Sequence, residues 1–287
     1  MKFYEELDRI MKQDFGNRGL IPSLPANPAE QAVNSLARAK RAILLTGFPV
    51  RLEDGQFIGE TDGPSGTINL AAALTRMGCA VRVMTDAASY GLLHAAISHR
   101  APMASLSLLP SVGTDVFIRK LVRDFKPTHF VSLERPGKAA DGHYYNMRGE
   151  IIDDMLADSA SFLKEARNAG AETISIGDGG NEMGMGYYTN AIVKHVPSGE
   201  LICTEDSADI VLASGVSNWW AWGIAAALSL STGLSLLPTE EEEAELLLRV
   251  VNAGGVDGCT KKRELTVDNL SLELHLDILR QTAALAV

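Results

Sequence analysis

Cysteine is scarce in this sequence, and the few cysteines present are widely spaced. Cys79, Cys203 and Cys259 are odd in number and show no CxxC spacing. Neither a disulfide framework nor a thiolate zinc site is therefore indicated. This cysteine usage favours a reducing compartment, and we predict a cytoplasmic location.

An excess of positive charge is also missing, since the formal net charge is −10 at pH 7. Nucleic-acid binding draws its affinity from clustered Lys and Arg, so the composition predicts no nucleic-acid partner. An acidic protein that handles an anionic substrate needs a local reversal of electrostatic potential. A bound cation or a set of helix N-termini supplies one.

The sequence has no long uninterrupted hydrophobic run. The most apolar stretch, Trp219 to Leu237, is broken by glycine, serine and threonine and has no basic flanks. It predicts a buried helix and no membrane segment. The first residues, Met1 to Asp14, contain no apolar core of signal-peptide length and predict an amphipathic helix.

Nucleotide-binding motifs are absent as well. The glycine-rich segment Gly177 to Gly186 does not meet the G-x-G-x-x-G spacing, and Gly59 to Thr67 lacks the Gly-Lys pair of a P-loop. We therefore predict no nucleotide cofactor.

What the sequence does contain is an alternation of short β-rich runs with helical patterns. Hydrophobic residues make up 46% and charged residues 22% of the 287 residues, which is typical of an ordinary globule. The alternation predicts an α/β fold, a mostly parallel open sheet of about six strands with helices on both faces. We expect one domain over residues 1–287, with helical additions at both ends. The predicted strands are Ala42 to Thr46, Ala80 to Thr85, Ser105 to Leu109, His129 to Leu133, Thr173 to Ile176 and Ile210 to Ala213.

Helices are predicted between and after these strands. The segments are Pro64 to Met77, Ala87 to Ser98, Thr114 to Phe125, Asp153 to Ala169, Tyr187 to Lys194, Ser217 to Ser231, Pro238 to Asn252 and Leu270 to Ala284.

Carboxylates follow several of the predicted strands. Asp86, Glu134 and Asp178 come directly after strand ends, where ligands bind in open parallel sheets. Glu60 and Asp62 precede Pro64, which has the character of a first helical residue. Converging carboxylates repel unless they hold a cation or share protons, and oxygen ligands favour magnesium, manganese or calcium over zinc. We predict a Mn or Mg site on Asp62, Glu134 and Asp178, with helix capping as the alternative role for Asp62.

Two further segments carry candidate substrate-binding residues. The glycine-rich segment predicts an anion site on the backbone N–H groups of Gly179, Gly180 and Asn181. Ser214, Gly215 and the helix start at Ser217 and Asn218 offer a second such site, with capping as an equal alternative.

The loop after Glu134 is dense in polar side chains. Its basic and amide residues predict substrate contacts by Arg135, Lys138, Asn146 and Arg148. His143 is a candidate general base, or simply a solvated loop histidine.

Five segments together resemble the D-glutamate cyclase-like C-terminal domain, over about residues 30 to 260. They are Thr46 to Pro49, Gly59 to Pro64, Glu134 to Gly137, Gly142 to Gly149 and Gly177 to Gly184. The resemblance implies conversion of D-glutamate to 5-oxo-D-proline with loss of water. It also implies a domain that larger relatives carry behind an additional N-terminal domain, which we expect this chain to lack.

The candidate residues match the needs of that reaction. A metal on the three carboxylates would polarise the γ-carboxylate, and Arg135, Lys138 or Arg148 would hold the α-carboxylate. Glu182, Glu60 or His143 would take the amine proton.

Two alternatives remain open at this stage. Divalent-metal-dependent phosphoester hydrolysis uses the same types of residue, and a non-catalytic protein that binds an acidic metabolite needs fewer of them. In each case the expected partner is a small anionic metabolite. A homo-oligomer is compatible with the sequence.

Overall fold

The central element of the computed structural model, which describes residues 2–286, is a six-stranded parallel sheet. Its strands are β1 (Arg41–Thr46), β4 (Ala80–Thr85), β5 (Ser105–Leu108), β6 (His129–Leu133), β7 (Glu172–Gly177) and β8 (Ile210–Ala213), in the order β5-β4-β1-β6-β7-β8. All neighbours pair in parallel. The predicted α/β class and all six predicted strands are confirmed.

Two short hairpins lie outside this sheet. Strands β2 (Pro49–Arg51) and β3 (Phe57–Gly59) form an antiparallel pair directly after β1. Near the C-terminus β9 (Thr266–Val267) pairs with β10 (Leu270–Ser271).

Helices cover both faces of the sheet. They are α1 (Lys2–Met11), α2 (Ala29–Leu36), α3 (Pro64–Arg76), α4 (Ala87–Arg100), α5 (Thr114–Phe125), α6 (Ser161–Asn168), α7 (Thr189–His195), α8 (Gly199–Ile202), α9 (Ser217–Thr232), α10 (Glu240–Asn252) and α11 (Leu272–Leu285). Short 3-10 turns occupy Ile21–Ser23, Asp153–Met155 and Gly186–Tyr188.

The alternation of side chains along the strands produces two apolar cores. On β1, Ala42 and Leu44 face the core formed with α1, α3, α4 and α9 to α11, whereas Ile43 and Leu45 face the core formed with α5 to α8. Strands that are buried on both faces read as continuous apolar runs, which is why the sequence marked them clearly.

Helix α9 is deeply buried over its first three turns. Every residue from Ser217 to Leu228 is buried, so the buried-helix interpretation of the most apolar stretch is confirmed. Among residues 2–286, no helix combines the length and the apolar character needed to cross a membrane.

One predicted helix is wrong over much of its length. Residues Asp153 to Ala169 contain a 3-10 turn and then an extended stretch, and the α-helix begins only at Ser161. The stretch between them is used for contacts instead, since the Ala157 carbonyl and the Ser159 hydroxyl accept hydrogen bonds from the buried Arg135.

The strand order places a topological switch point in the middle of the sheet. Strand β1 lies between β4 and β6, so the chain leaves the carboxyl ends of β1 and β6 in opposite directions and opens a crevice there. In dinucleotide-binding sheets of this order a glycine-rich turn follows the first strand. Here the β2–β3 hairpin follows β1, and the crevice carries carboxylates.

Candidate active site

A cavity of about 510 Å³ opens at this crevice. This volume lies in the usual range for small-molecule sites. Seven residues predicted from sequence line it: Glu60, Glu134, Asn146, Arg148, Asp178, Asn181 and Glu182. The remaining lining comes mainly from the β2–β3 hairpin, the loop between β6 and α6 and the segment after α10.

Three buried carboxylates converge beside the cavity. Oxygen atoms of Asp62, Glu134 and Asp178 all lie within 4.8 Å of one another. We call these residues the acid triad. The sequence predicted this grouping, and the role of its members as metal ligands stays a prediction.

Glu134 reaches the triad from an unusual backbone conformation. It follows β6 directly and has φ +47, a left-handed conformation that non-glycine residues rarely adopt. The surroundings fix it, because its N–H donates to Ile176 O at 3.1 Å and its carbonyl accepts from Gly47 N at 3.0 Å. Such conformations cluster at functional sites.

Asp62 is held by a reciprocal cap between two helices. Its carboxylate accepts hydrogen bonds from Ser217 N and Asn218 N, each at 3.0 Å, at the start of α9. The Asn218 side chain in turn accepts from Gly63 N at 3.0 Å and Gly66 N at 2.7 Å, at the start of α3. Asp62 is therefore a cap, but of α9 and not of the helix α3 that it precedes in sequence, whereas the start of α3 is capped by Asn218.

Burial and mutual repulsion shift the protonation of the triad. Burial first, and then the charge of Asp268, raises the pKa of Asp62 from 3.8 to about 8. Burial likewise raises the pKa of Glu134 well above its usual range, with Glu182 and Asp62 adding to the shift. Burial also raises the pKa of Asp178, although the adjacent Arg18 works in the opposite direction.

The donor set of the triad suits a hard divalent cation. All three residues offer carboxylate oxygens, which Mg²⁺ and Mn²⁺ prefer. The Oδ2 atom of Asp178 is buried and has no hydrogen-bond partner among residues 2–286. A buried carboxylate oxygen without a partner is costly, and a metal ion would satisfy it.

Glu60 lies on the cavity wall close to the triad. It is 8% exposed, and its carboxylate accepts no hydrogen bond from residues 2–286. Burial, followed by the charges of Asp268 and Asp62, raises its pKa well above the usual range. A carboxylate of raised basicity facing a cavity is suited to accept a proton.

The backbone N–H groups of Gly179 and Gly180 bind a carboxylate of the chain itself, which corrects the anion-site prediction for these two residues. The carboxylate of Glu182 accepts hydrogen bonds from Asp178 N at 3.1 Å, Gly179 N at 2.7 Å and Gly180 N at 2.6 Å. These N–H groups are therefore occupied. The hydrolase alternative loses the anion nest that favoured it, and Glu182 is committed to holding the turn.

Asn181 remains a candidate for substrate contact. It lines the cavity, and its side-chain amide donates to Tyr145 O at 2.8 Å.

A stability measurement tests this role of Glu182. Glu182→Gln replaces one acceptor oxygen by an NH₂ group that faces backbone donors, so we expect a loss of about 2–4 kcal/mol in the free energy of unfolding. That loss corresponds to a fall in Tm of about 5–10 °C by thermal denaturation. The exposed Glu200→Gln on α8 is the control. An unchanged Tm together with lost turnover would instead make Glu182 a catalytic residue.

Two predicted substrate-binding residues, Arg135 and Lys138, lie outside the cavity lining and make contacts within the protein. Arg135 is fully buried and donates to Asp86 at 2.5 Å and to Ala157 O at 2.7 Å. Lys138 pairs with Asp158 at 2.6 Å and does not line the cavity. Asp86, predicted at the rim, is the buried partner of Arg135 and lies outside the acid triad.

His143 is also placed away from the cavity. It is exposed, and its ring pairs with Asp153 at 2.7 Å, which raises its pKa. The solvated alternative describes it better than the general-base prediction.

Several cavity residues were not predicted from sequence. Arg18 comes from the loop after α1, and Cys259, Lys261 and Asp268 come from the segment after α10. That segment is tied to the site because Thr61 N donates to Val256 O at 2.9 Å and Thr61 Oγ1 donates to Thr266 O at 2.9 Å. Positive φ angles at Lys261, Asp268 and Asn269 mark its irregular path.

The chain is similar to known proteins over most of its length. A human protein named "D-glutamate cyclase, mitochondrial" is 32% identical over 241 residues, which cover 78% of this chain and 38% of the human protein. The chain thus spans well under half the length of that relative. The sequence model of the family described as "D-glutamate cyclase-like, C-terminal" matches residues 7–283, a longer range than the sequence segments suggested. The chain belongs to the D-glutamate cyclase-like family.

Proposed function

We propose that this protein converts D-glutamate to 5-oxo-D-proline and water, with a divalent cation held by the acid triad. The observation that carries the proposal is the convergence of Asp62, Glu134 and Asp178 at the switch point of the sheet, within 4.8 Å of one another. Family membership and the name of the human relative support the substrate. The cytoplasmic location stays a prediction.

The reaction is a condensation within one molecule. The α-amine nitrogen forms a bond to the γ-carboxyl carbon, the C–O bond of that carboxyl breaks, and the oxygen leaves as water. A divalent cation at the triad supplies positive charge that makes a carboxyl group more electrophilic. Because amine and carboxyl already belong to one molecule, the protein's main task is to hold them in contact.

Glu60 is the residue best placed to receive a proton from the α-ammonium. Its raised pKa makes the ionised carboxylate a stronger base than an exposed glutamate. The neighbouring Asp268, which lies outside the acid triad, adds negative charge that attracts the substrate ammonium to the same wall.

Product analysis tests the proposal directly. Chelator-stripped protein is incubated with D-glutamate in Mn²⁺, in Mg²⁺ or in chelator, and 5-oxoproline is measured by mass spectrometry. We expect lactam from D-glutamate with metal and much less from L-glutamate or without metal. An aryl phosphate in the same buffer tests the hydrolase alternative. Folded, metal-loaded protein that forms no lactam from D-glutamate would refute the proposal.

Stability should depend on pH in a direction fixed by the triad. The folded pKa of Asp62, about 8, lies above its unfolded value of 3.8, so the folded protein retains a proton that the unfolded chain releases. The metal-free protein should therefore lose stability as the pH rises from about 4 to about 8, on the order of a few kcal/mol.

Bound Mn²⁺ should counteract this loss of stability at higher pH. Protons and metal compete for the same oxygens, so the increase in Tm produced by Mn²⁺ should grow from pH 5 to pH 8. Thermal denaturation with and without Mn²⁺, with potassium at matched ionic strength as control, measures both effects. An equal Tm increase at pH 5 and pH 8 would contradict metal binding at the triad.

A further inference from the structure

Arg18 is a cationic side chain of the cavity lining that contacts the acid triad. Its guanidinium contacts Asp178 through Nη1 and Asp268 through Nη2, the latter at 2.6 Å. The side chain is only 18% exposed and lines the cavity. The planar fork of a guanidinium has more N–H donors than these two contacts use.

The loop that carries Arg18 is fixed to the rest of the molecule on both sides. Lys12 Nζ donates to Leu24 O at 2.8 Å and to Pro25 O at 3.0 Å, which ties the two ends of the loop together. Gly19 has φ +84, and a Cβ there would lie 2.8 Å from His195 O. Arg18 is thus placed by backbone packing, not by its ion pairs alone.

The other cations of the cavity lie nearer to solvent. Arg51 is 41% exposed and pairs with Asp154. Arg148 is exposed and donates to Cys259 O at 3.3 Å. Of the four cationic side chains that line the cavity within residues 2–286, Arg18 alone contacts a member of the acid triad.

The charges around Arg18 suit it to bind an anionic ligand. Asp178 shares its negative charge with Arg18, and a cation on the triad would draw on the same carboxylate. Arg18 would then be only partly neutralised, beside a cavity large enough for a small metabolite. Two adjacent positive centres match a ligand with two carboxylates, because a guanidinium binds a carboxylate through paired hydrogen bonds.

We propose that Arg18 binds one carboxylate of the substrate and thereby selects dicarboxylates, while the other carboxylate lies toward the acid triad. The proposal rests on the proposed function for the identity of the substrate, in which Arg18 takes the α-carboxylate of D-glutamate. It replaces Arg135 and Lys138 as carboxylate-binding residues, since those two side chains lie outside the cavity.

Glutarate tests the proposal independently of turnover, because it has both carboxylates and no amine. Binding of glutarate to Mn²⁺-loaded protein is measured by calorimetry for the wild type, Arg18→Met and Arg18→Lys. We expect Arg18→Met to raise the glutarate Kd about 10- to 100-fold and Arg18→Lys to raise it less. Arg119→Met, which removes an exposed cation of α5 that does not line the cavity, is the control and should leave the glutarate Kd unchanged.

The Mn²⁺ Kd separates substrate binding from a merely structural role. Removing a positive charge beside Asp178 should leave the affinity for Mn²⁺ equal or higher. If Mn²⁺ and glutarate binding weaken by the same factor, if glutarate binding is unchanged, or if the wild type binds no glutarate, the proposal is overturned.

Turnover of D-glutamate by the wild type is measured separately. Arg18-dependent glutarate binding without lactam formation would refute the proposed function and leave the role of Arg18 standing. Lactam formation by the wild type, together with unchanged glutarate binding in Arg18→Met, would support the proposed function and refute the role of Arg18.

Discussion

Asp178→Asn is expected to weaken Mn²⁺ binding by more than about 100-fold and to abolish measurable lactam formation. Loss of residues that merely orient metal ligands already lowers metal affinity about 10- to 100-fold, and loss of a ligand should exceed that. Asp178 also offers the triad's one buried carboxylate oxygen without a partner among the described residues. Calorimetry on chelator-stripped protein measures the Kd.

The fold should survive this substitution. The amide of Asn has nearly the size of the carboxylate, and the net repulsion among the buried carboxylates falls, although Arg18 loses one ion pair and keeps Asp268. Far-UV circular dichroism and Tm check this. Asp115→Asn, which removes an exposed carboxylate on α5, is the control and should leave Mn²⁺ binding unchanged. Retention of full Mn²⁺ affinity by Asp178→Asn would refute its role as a ligand.

The fold was largely predictable because most strands of the parallel sheet are buried, the edge strand β5 being the exception. Strands such as β6 and β8 read as short apolar runs, and their predicted bounds are those observed. The helix prediction over Asp153 to Ala169 was wrong because its first part is fixed by distant contacts with Arg135. Local pattern carries no information about such contacts.

The acid triad was predictable for a topological reason. Carboxylates that follow parallel strands meet at one edge of the sheet, so Glu134 and Asp178 had to lie close together. Arg18 and Asp268 were not predictable, since they lie in loops outside the sheet's alternation and reach the site only through tertiary packing. The anion-site prediction for the glycine-rich segment failed because the residue spacing is the same whether the backbone N–H groups are free or bound by Glu182.

Glu60→Gln is expected to lower kcat by about 10²- to 10⁴-fold, the usual contribution of a general base. Burial, with Asp268 and Asp62, raises the pKa of Glu60, and no described residue donates a hydrogen bond to its carboxylate. Gln has nearly the same shape and cannot accept the proton. Steady-state kinetics of lactam formation from D-glutamate provides kcat and KM.

The pattern of effects separates a base from a metal ligand or a structural residue. Glu60 lies outside the group of carboxylates within 4.8 Å of one another, so Mn²⁺ affinity should change little in Glu60→Gln. Glu53→Gln, an exposed substitution in the loop between β2 and β3, should retain wild-type kcat. If Glu60→Gln instead loses Mn²⁺ binding in proportion to kcat, Glu60 is a fourth ligand. If Glu60→Gln retains the wild-type kcat, a group other than Glu60 accepts the proton of the α-ammonium.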